Sequence, residues 1–210
     1  MEKLAKHIEL SEIVSPEMQD HPERRQMPRV TVMIRPGKLI ADGREFLCVV
    51  RDVSETGLKV RLFHPLPEHR SLEIEFDNGE RHALQLVWQA GDLAGCFFVD
   101  SIDCGRLLVG QNEEFPRRQP RLNVTLPAVL FAGGMRSDVQ ICDISQRGAA
   151  IESPGWLMID ELVRIECALL PTLHAKVRWR RPPRYGLVFE QTFKIEELAL
   201  ACGKLQLGDE

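Results

Sequence analysis

Two kinds of polar residue recur in this chain at matched spacing. Arg25 and Arg29 stand four residues apart, as do Arg117 and Arg121, and Arg24 and Arg118 adjoin the first member of each pair. A guanidinium grips phosphate through two parallel hydrogen bonds, stacks on flat rings and reads the O6/N7 edge of guanine. Arginines spread along a short span therefore suit a ligand that carries both phosphates and purines. Pro28 and Pro120 precede the second arginine of each pair, and a proline disfavours the helical region for the residue before it. The segment is thus expected to be extended, with both side chains on one side about 13 Å apart. The second recurring set is Asp52, Ser54 and Gly57, repeated as Asp143, Ser145 and Gly148 in the pattern DxSxxG. An aspartate and a serine two apart share one strand face, where the carboxylate can accept from guanine N–H groups or orient an arginine. The glycine permits a positive φ or a close backbone approach.

Positioning these groups falls to a repeated unit. The arginine pairs lie at an offset of 92, and the DxSxxG motifs, Trp88 with Trp179, and Gly95 with Gly186 at an offset of 91, which implies one deletion in the intervening hairpin. The boundaries read as an N-terminal extension over 1–21, a first unit over 22–109, a linker over 110–116 and a second unit over 117–210. A seven-residue linker cannot hold the units far apart, so they are expected to touch. Apolar residues alternate with polar ones in Val30, Val32, Ile34; Leu58, Val60, Leu62; Leu72, Ile74, Phe76; Leu84, Leu86, Trp88; Leu122, Val124, Leu126; and Val163, Ile165, Cys167, Leu169. Period two marks half-buried strands, and small all-β units avoid exposed edges by closing into barrels. Asp77-Asn78-Gly79 reads as a turn. Helix is expected over Lys194 to Leu207, with Ile102 to Val109 as its first-copy counterpart, each closing its barrel, and one or two helical turns could form in the first 20 residues. Trp88 and Trp179 are expected in the barrel cores, and Gly95 and Gly186 are expected to relieve crowding on a neighbouring strand.

Composition narrows the function classes. The 210 residues carry 27 Lys+Arg against 31 Asp+Glu, a net charge of −4, and 44% are apolar, as in a folded protein. No apolar run approaches the roughly 20 residues of a membrane-spanning helix, and charges interrupt the N-terminal MEKLAKHIEL, so the expected location is cytoplasmic. Six scattered cysteines and six scattered histidines form no CxxC pair and no metal-ligand spacing, so inert, buried cysteines and no metal site are expected.

Paired RxxxR and DxSxxG motifs in order, followed by a Gly-bearing strand hairpin, resemble the PilZ domain family, here present twice across about 185 residues. The resemblance implies two consecutive six-stranded antiparallel β-barrels, an all-β fold, that bind the bacterial second messenger cyclic di-GMP without a cofactor. It implies that Arg25 and Arg29 engage guanine and phosphate above Asp52, Ser54 and Gly57, and that Arg117, Arg121, Asp143, Ser145 and Gly148 do the same in the second copy. Arg24 and Arg118 are added as helpers. The flanks differ: Arg51 and Glu55 balance in the first copy, whereas Arg147 leaves the second one charge more positive, so the second site is expected to be the better anion trap.

The expected function is a non-enzymatic signalling receptor or adaptor acting on a downstream protein partner. The alternative is a scaffold that uses the barrels for protein contacts and leaves one or both nucleotide sites unused. A nucleic-acid polymer is disfavoured by the net charge and by the lack of aromatics interleaved with the basic residues. An enzyme is disfavoured because no His recurs beside the repeated Ser and Asp.

Overall fold

The computed structural model describes residues 30–104 and 119–208, with side chains from residue 35 onward. The first copy forms β1 (Val30–Ala41), β2 (Arg44–Val53), β3 (Gly57–Leu62), β4 (Leu72–Glu75), β5 (Arg81–Ala90) and β6 (Leu93–Phe98), and the second β7 (Leu122–Ala132), β8 (Met135–Ser145), β9 (Gly148–Glu152), β10 (Leu162–Glu166), β11 (Leu173–Arg181) and β12 (Arg184–Phe189). Each set closes into an antiparallel barrel, in the orders β1-β2-β3-β6-β5-β4 and β7-β8-β9-β12-β11-β10. Closure removes the free edges that small sheets otherwise expose. The predicted alternation ends early in one strand: β10 stops at Glu166, so Cys167 and Leu169 lie beyond it.

Equivalent turns recur because the chain needs left-handed backbone there. Asp42 and Gly43 (φ 48° and 82°) join β1 to β2, and Gly133 and Gly134 (54° and 79°) join β7 to β8, the combination a two-residue hairpin favours. The predicted turn at Asp77-Asn78-Gly79 is present, with Gly79 at φ 83°. Both hairpin turns keep the 91 offset, so the expected deletion lies in the first strand of the hairpin. Thr31 faces Asp52 and Arg35 faces Val50, whereas Asn123 faces Asp143 and Leu126 faces Ile141. The first copy therefore carries its extra residue inside the β1 irregularity, where a bulge absorbs an insertion without changing the hairpin.

A single helix, α1 (Ile195–Leu207), lies within the described residues. Glu196 and Glu197 in its first turn and Lys204 in its last complement the helix dipole, and Gly208 at φ 71° ends it by donating to the Lys204 carbonyl. The expected C-terminal helix is present and packs on the second barrel. Leu198, Ala199 and Cys202 join the second core, while Leu207 packs against the first, so α1 spans both barrels. Its first-copy counterpart and the N-terminal extension fall largely outside the described residues. Gly203 lets the helix approach the loop after β3, since a Cβ there would lie 2.7 Å from His64 Cδ2. No described helix is long and apolar enough to cross a membrane.

The barrels meet, as expected, through β2, α1 and the start of β7. Leu47 of β2 belongs to the core of the second barrel. A buried polar clasp lies beside it: Lys38 Nζ donates to Glu45 Oε1 (3.0 Å) and to the Arg121 carbonyl (3.1 Å), and lies 3.0 Å from Glu75 Oε1. Glu45 in turn accepts from Asn123 N (2.6 Å) and Asn123 Nδ2 (2.8 Å), and Gln206 Nε2 donates to the Asn123 carbonyl (3.1 Å). Every buried member thus has a partner, the condition under which interior charge is tolerated.

Candidate nucleotide-binding groove

The DxSxxG motif forms the turn from β8 to β9, and likewise from β2 to β3. Ser145 Oγ donates to the Gly148 carbonyl at 3.1 Å, and Ser54 Oγ donates to the Gly57 carbonyl and accepts from its N–H. The serine is therefore a turn-closing group, and Ser145 is buried. Neither glycine has a positive φ. A Cβ on Gly57 would meet the Cys96 carbonyl at 2.7 Å, and one on Gly148 would collide with the Leu187 carbonyl. These glycines permit close approach of the neighbouring strand, one of the two roles their spacing suggested.

Asp143 is the polar member turned outward. Its Oδ1 accepts from Ala150 N–H at 3.2 Å and is paired with Arg121 Nη1. Arg121 sits immediately before β7, its carbonyl held by Lys38 and its side chain half exposed. The predicted meeting of an RxxxR arginine with the motif aspartate is thus present here. In the first barrel Asp52 occupies the matching place between Thr31 and Lys59. Arg24, Arg25, Arg29, Arg117 and Arg118 lie outside the described residues.

A groove of about 510 Å³ opens on the outer face of the second barrel and includes Asn123, the cross-strand partner of Asp143. Asn123, Thr125, Gln140, Cys142 and Glu152 line it, and Leu205 and Gln206 of α1 form its far wall. It continues past Thr125, Gln140 and Glu152 into a second hollow of about 640 Å³ that reaches Pro154 and Pro183. These sizes are in the range of small-molecule sites. Arg184 Nε lies 3.7 Å from Glu152 at the margin. Burial raises the Cys142 thiol above its ordinary value, with Glu152 adding to the effect and Arg184 opposing it. Gln140, Glu152, Arg184 and Gln206 were not singled out in the sequence. Each comes from a different element, and no local spacing joins them.

On β2 of the first barrel the polar positions that line the groove are changed. Gln140 is replaced there by Val49, Asp138 by Leu47 and Arg136 by Glu45, and all three first-barrel residues are buried. The second barrel and α1 occupy that side.

The tryptophans require a correction. Trp88 and Trp179 are each 43% exposed and are not core residues. An irregularity between Leu86 and Trp88, and another between Val177 and Trp179, reverses the alternation, so each indole lies outside and faces a glycine on the next strand. A Cβ on Gly95 or Gly186 would fall within the Trp88 or Trp179 ring, so these glycines do relieve crowding. All six cysteines are free; Cys48, Cys96, Cys104 and Cys202 are buried, and Cys142 and Cys167 are half-buried. Burial pushes the Cys96 thiol up to about 11 and that of Cys202 to about 12.

A family model described as PilZ domain matches residues 23–107 and again residues 115–201. No curated protein matches the chain. Among solved structures, the chain is similar to the Borreliella burgdorferi PlzA protein in complex with c-di-GMP, at 10% identity, covering 84% of this chain and 94% of that one with a TM-score of 0.35. The Bacillus subtilis inhibitor of motility gives 14% identity, coverages of 85% and 100%, and a TM-score of 0.36. Escherichia coli YcgR in complex with c-di-GMP gives 13% identity, 80% and 81%, and 0.29.

Proposed function

Because this chain belongs to the PilZ domain family through both of its halves, we propose that it is a cyclic di-GMP receptor whose principal binding site is the groove of the second barrel. The observation that carries this reading is the Arg121–Asp143 pair, in which Asp143 is the cross-strand partner of the groove-lining Asn123. Asp143, anchored by the Ala150 N–H, holds one side of the guanidinium and leaves the rest of the fork for a ligand phosphate. Arg117 and Arg118 precede Arg121 on the same segment and supply two further cations. Ser145 and Gly148 fix the backbone on which Asp143 is carried. Arg24, Arg25, Arg29, Asp52, Ser54 and Gly57 form the corresponding set of the first barrel. The protein acts by binding and carries no catalytic step. Its arginine segment joins the inter-barrel clasp through the Arg121 carbonyl, so ligand contact reaches the interface that a downstream protein partner would read.

The scaffold reading applies to the first barrel alone, where burial of Leu47 and Val49 turns the corresponding face into a contact between barrels.

Isothermal titration with cyclic di-GMP tests both points. Arg121→Ala and Asp143→Ala are expected to lower affinity about 10- to 100-fold, the worth of a charge-assisted hydrogen bond, and Arg29→Ala less. Absence of heat with the wild-type chain overturns the receptor reading, and a larger loss from Arg29→Ala overturns the primacy of the second barrel.

A further inference from the structure

The end of the second barrel opposite Arg121 and Asp143 gathers the β7–β8 and β11–β12 hairpin tips and the loop between β9 and β10. Five large apolar side chains are exposed there: Met135 (72%), Trp156 (64%), Met158 (61%), Ile159 (44%) and Leu162 (61%). Met158 N–H is held by Glu161 Oε2 at 2.8 Å, Glu161 N–H returns to the Met158 carbonyl at 3.2 Å, and Asp160 has φ 64°. Ile159 and Asp160 therefore cap a tight turn, while Leu157 beneath is buried and anchors the loop.

Cations surround this apolar crown. The Arg180 guanidinium lies 4.6 Å from the Trp156 ring centre, Arg178 lies 3.8 Å from Asp160, and Arg181 ends β11. Segments 133–138, 152–164 and 174–184 together hold seven basic and four acidic side chains, in a chain whose net charge is −4. The barrel itself does not demand these residues. The equivalent loop of the first barrel, 63–71, reads FHPLPEHRS, without Trp, Met or Ile, and its Leu66 packs on the first core. An apolar patch rimmed by polar groups, with no such role in its sister domain, marks a contact surface.

We propose that this end of the second barrel docks on an anionic lipid bilayer. Trp156, Met158 and Ile159 enter the boundary between headgroups and acyl chains, and Arg178, Arg180 and Arg181 meet lipid phosphates. The convex turn tip favours a fluid interface over a partner's cleft. The aliphatic side chains favour lipid over stacked bases, and an indole is at home where one side is apolar and the other wet. The proposal does not rest on the nucleotide reading: Trp156, Met158, Ile159, Arg178, Arg180 and Arg181 line neither hollow, although the second one reaches Pro154 and Pro183 beside them.

Sedimentation of the full chain with vesicles tests it. Phosphatidylcholine alone would be compared with an equal mixture of phosphatidylcholine and phosphatidylglycerol, at low and high salt. Wild-type protein is expected to pellet with the anionic vesicles at low salt. The triple change Trp156→Ser, Met158→Ser, Ile159→Ser and the pair Arg180→Ser, Arg181→Ser are each expected to weaken that binding about tenfold or more, with melting temperature and cyclic di-GMP titration unchanged. Failure of the wild-type chain to pellet overturns the lipid assignment and leaves the patch to an acidic protein surface. Equal pelleting by the triple variant also overturns it, by reducing the attraction to charge alone.

Discussion

Trp179 and Gly186, like Trp88 and Gly95, act as one cross-strand unit in which the indole uses the space a side chain would otherwise fill. Gly186→Ala is expected to lose about 2 kcal/mol through overpacking. In a Trp179→Ala background the same change should cost much less, a coupling of about 1 kcal/mol or more that a double-mutant cycle in urea measures. Equal losses in both backgrounds would refute the steric account. The tryptophans looked like core because one inserted bulge residue is invisible to a count of alternating positions. The pairing of Arg121 with Asp143 was readable, since both lie in motifs that the fold brings together. The glycines were readable as small but not as to their neighbour, because a strand carbonyl across the barrel leaves no trace in local spacing.

At the scale of elements, β2 and α1 decide how the barrels are joined. The run Phe46–Val50 is apolar on both faces of its strand, the mark of a strand covered on two sides. Its β8 counterpart alternates and stays open. Strand alternation and the C-terminal helix were therefore legible. The helix's second partner was not, because its sequence shows an apolar face without saying what covers it. The clasp is a sharper test of the interface. Lys38→Met leaves Glu45 buried without its cation and is expected to destabilise the protein by about 3 kcal/mol in urea unfolding. A change within a few tenths of a kcal/mol would mean that Lys38 is not part of a closed interface.

Across the whole molecule, acid should loosen the first barrel. Burial alone would raise the Glu75 carboxyl, but hydrogen bonds from Lys38 and Arg81 outweigh it and hold its pKa below the ordinary 4.5. Backbone hydrogen bonds from Ser71 and Arg70 lower Asp42 below 3.8. Groups whose folded pKa is depressed contribute stability above their unfolded pKa and lose it as pH falls through the folded value. The melting temperature is therefore expected to fall between about pH 5 and pH 3, and Glu75→Gln should flatten that slope; an identical slope would assign the acid response elsewhere. The bridging helix also sets a timetable for biosynthesis. The face of β2 that it covers leaves the ribosome roughly 140 residues ahead of it, and at about 5–20 residues per second the wait is on the order of 10 s. During that interval the nascent first barrel carries sticky Leu47 and Val49 uncovered, a window in which chaperones, or a neighbouring nascent chain, compete with the protein's own unfinished half.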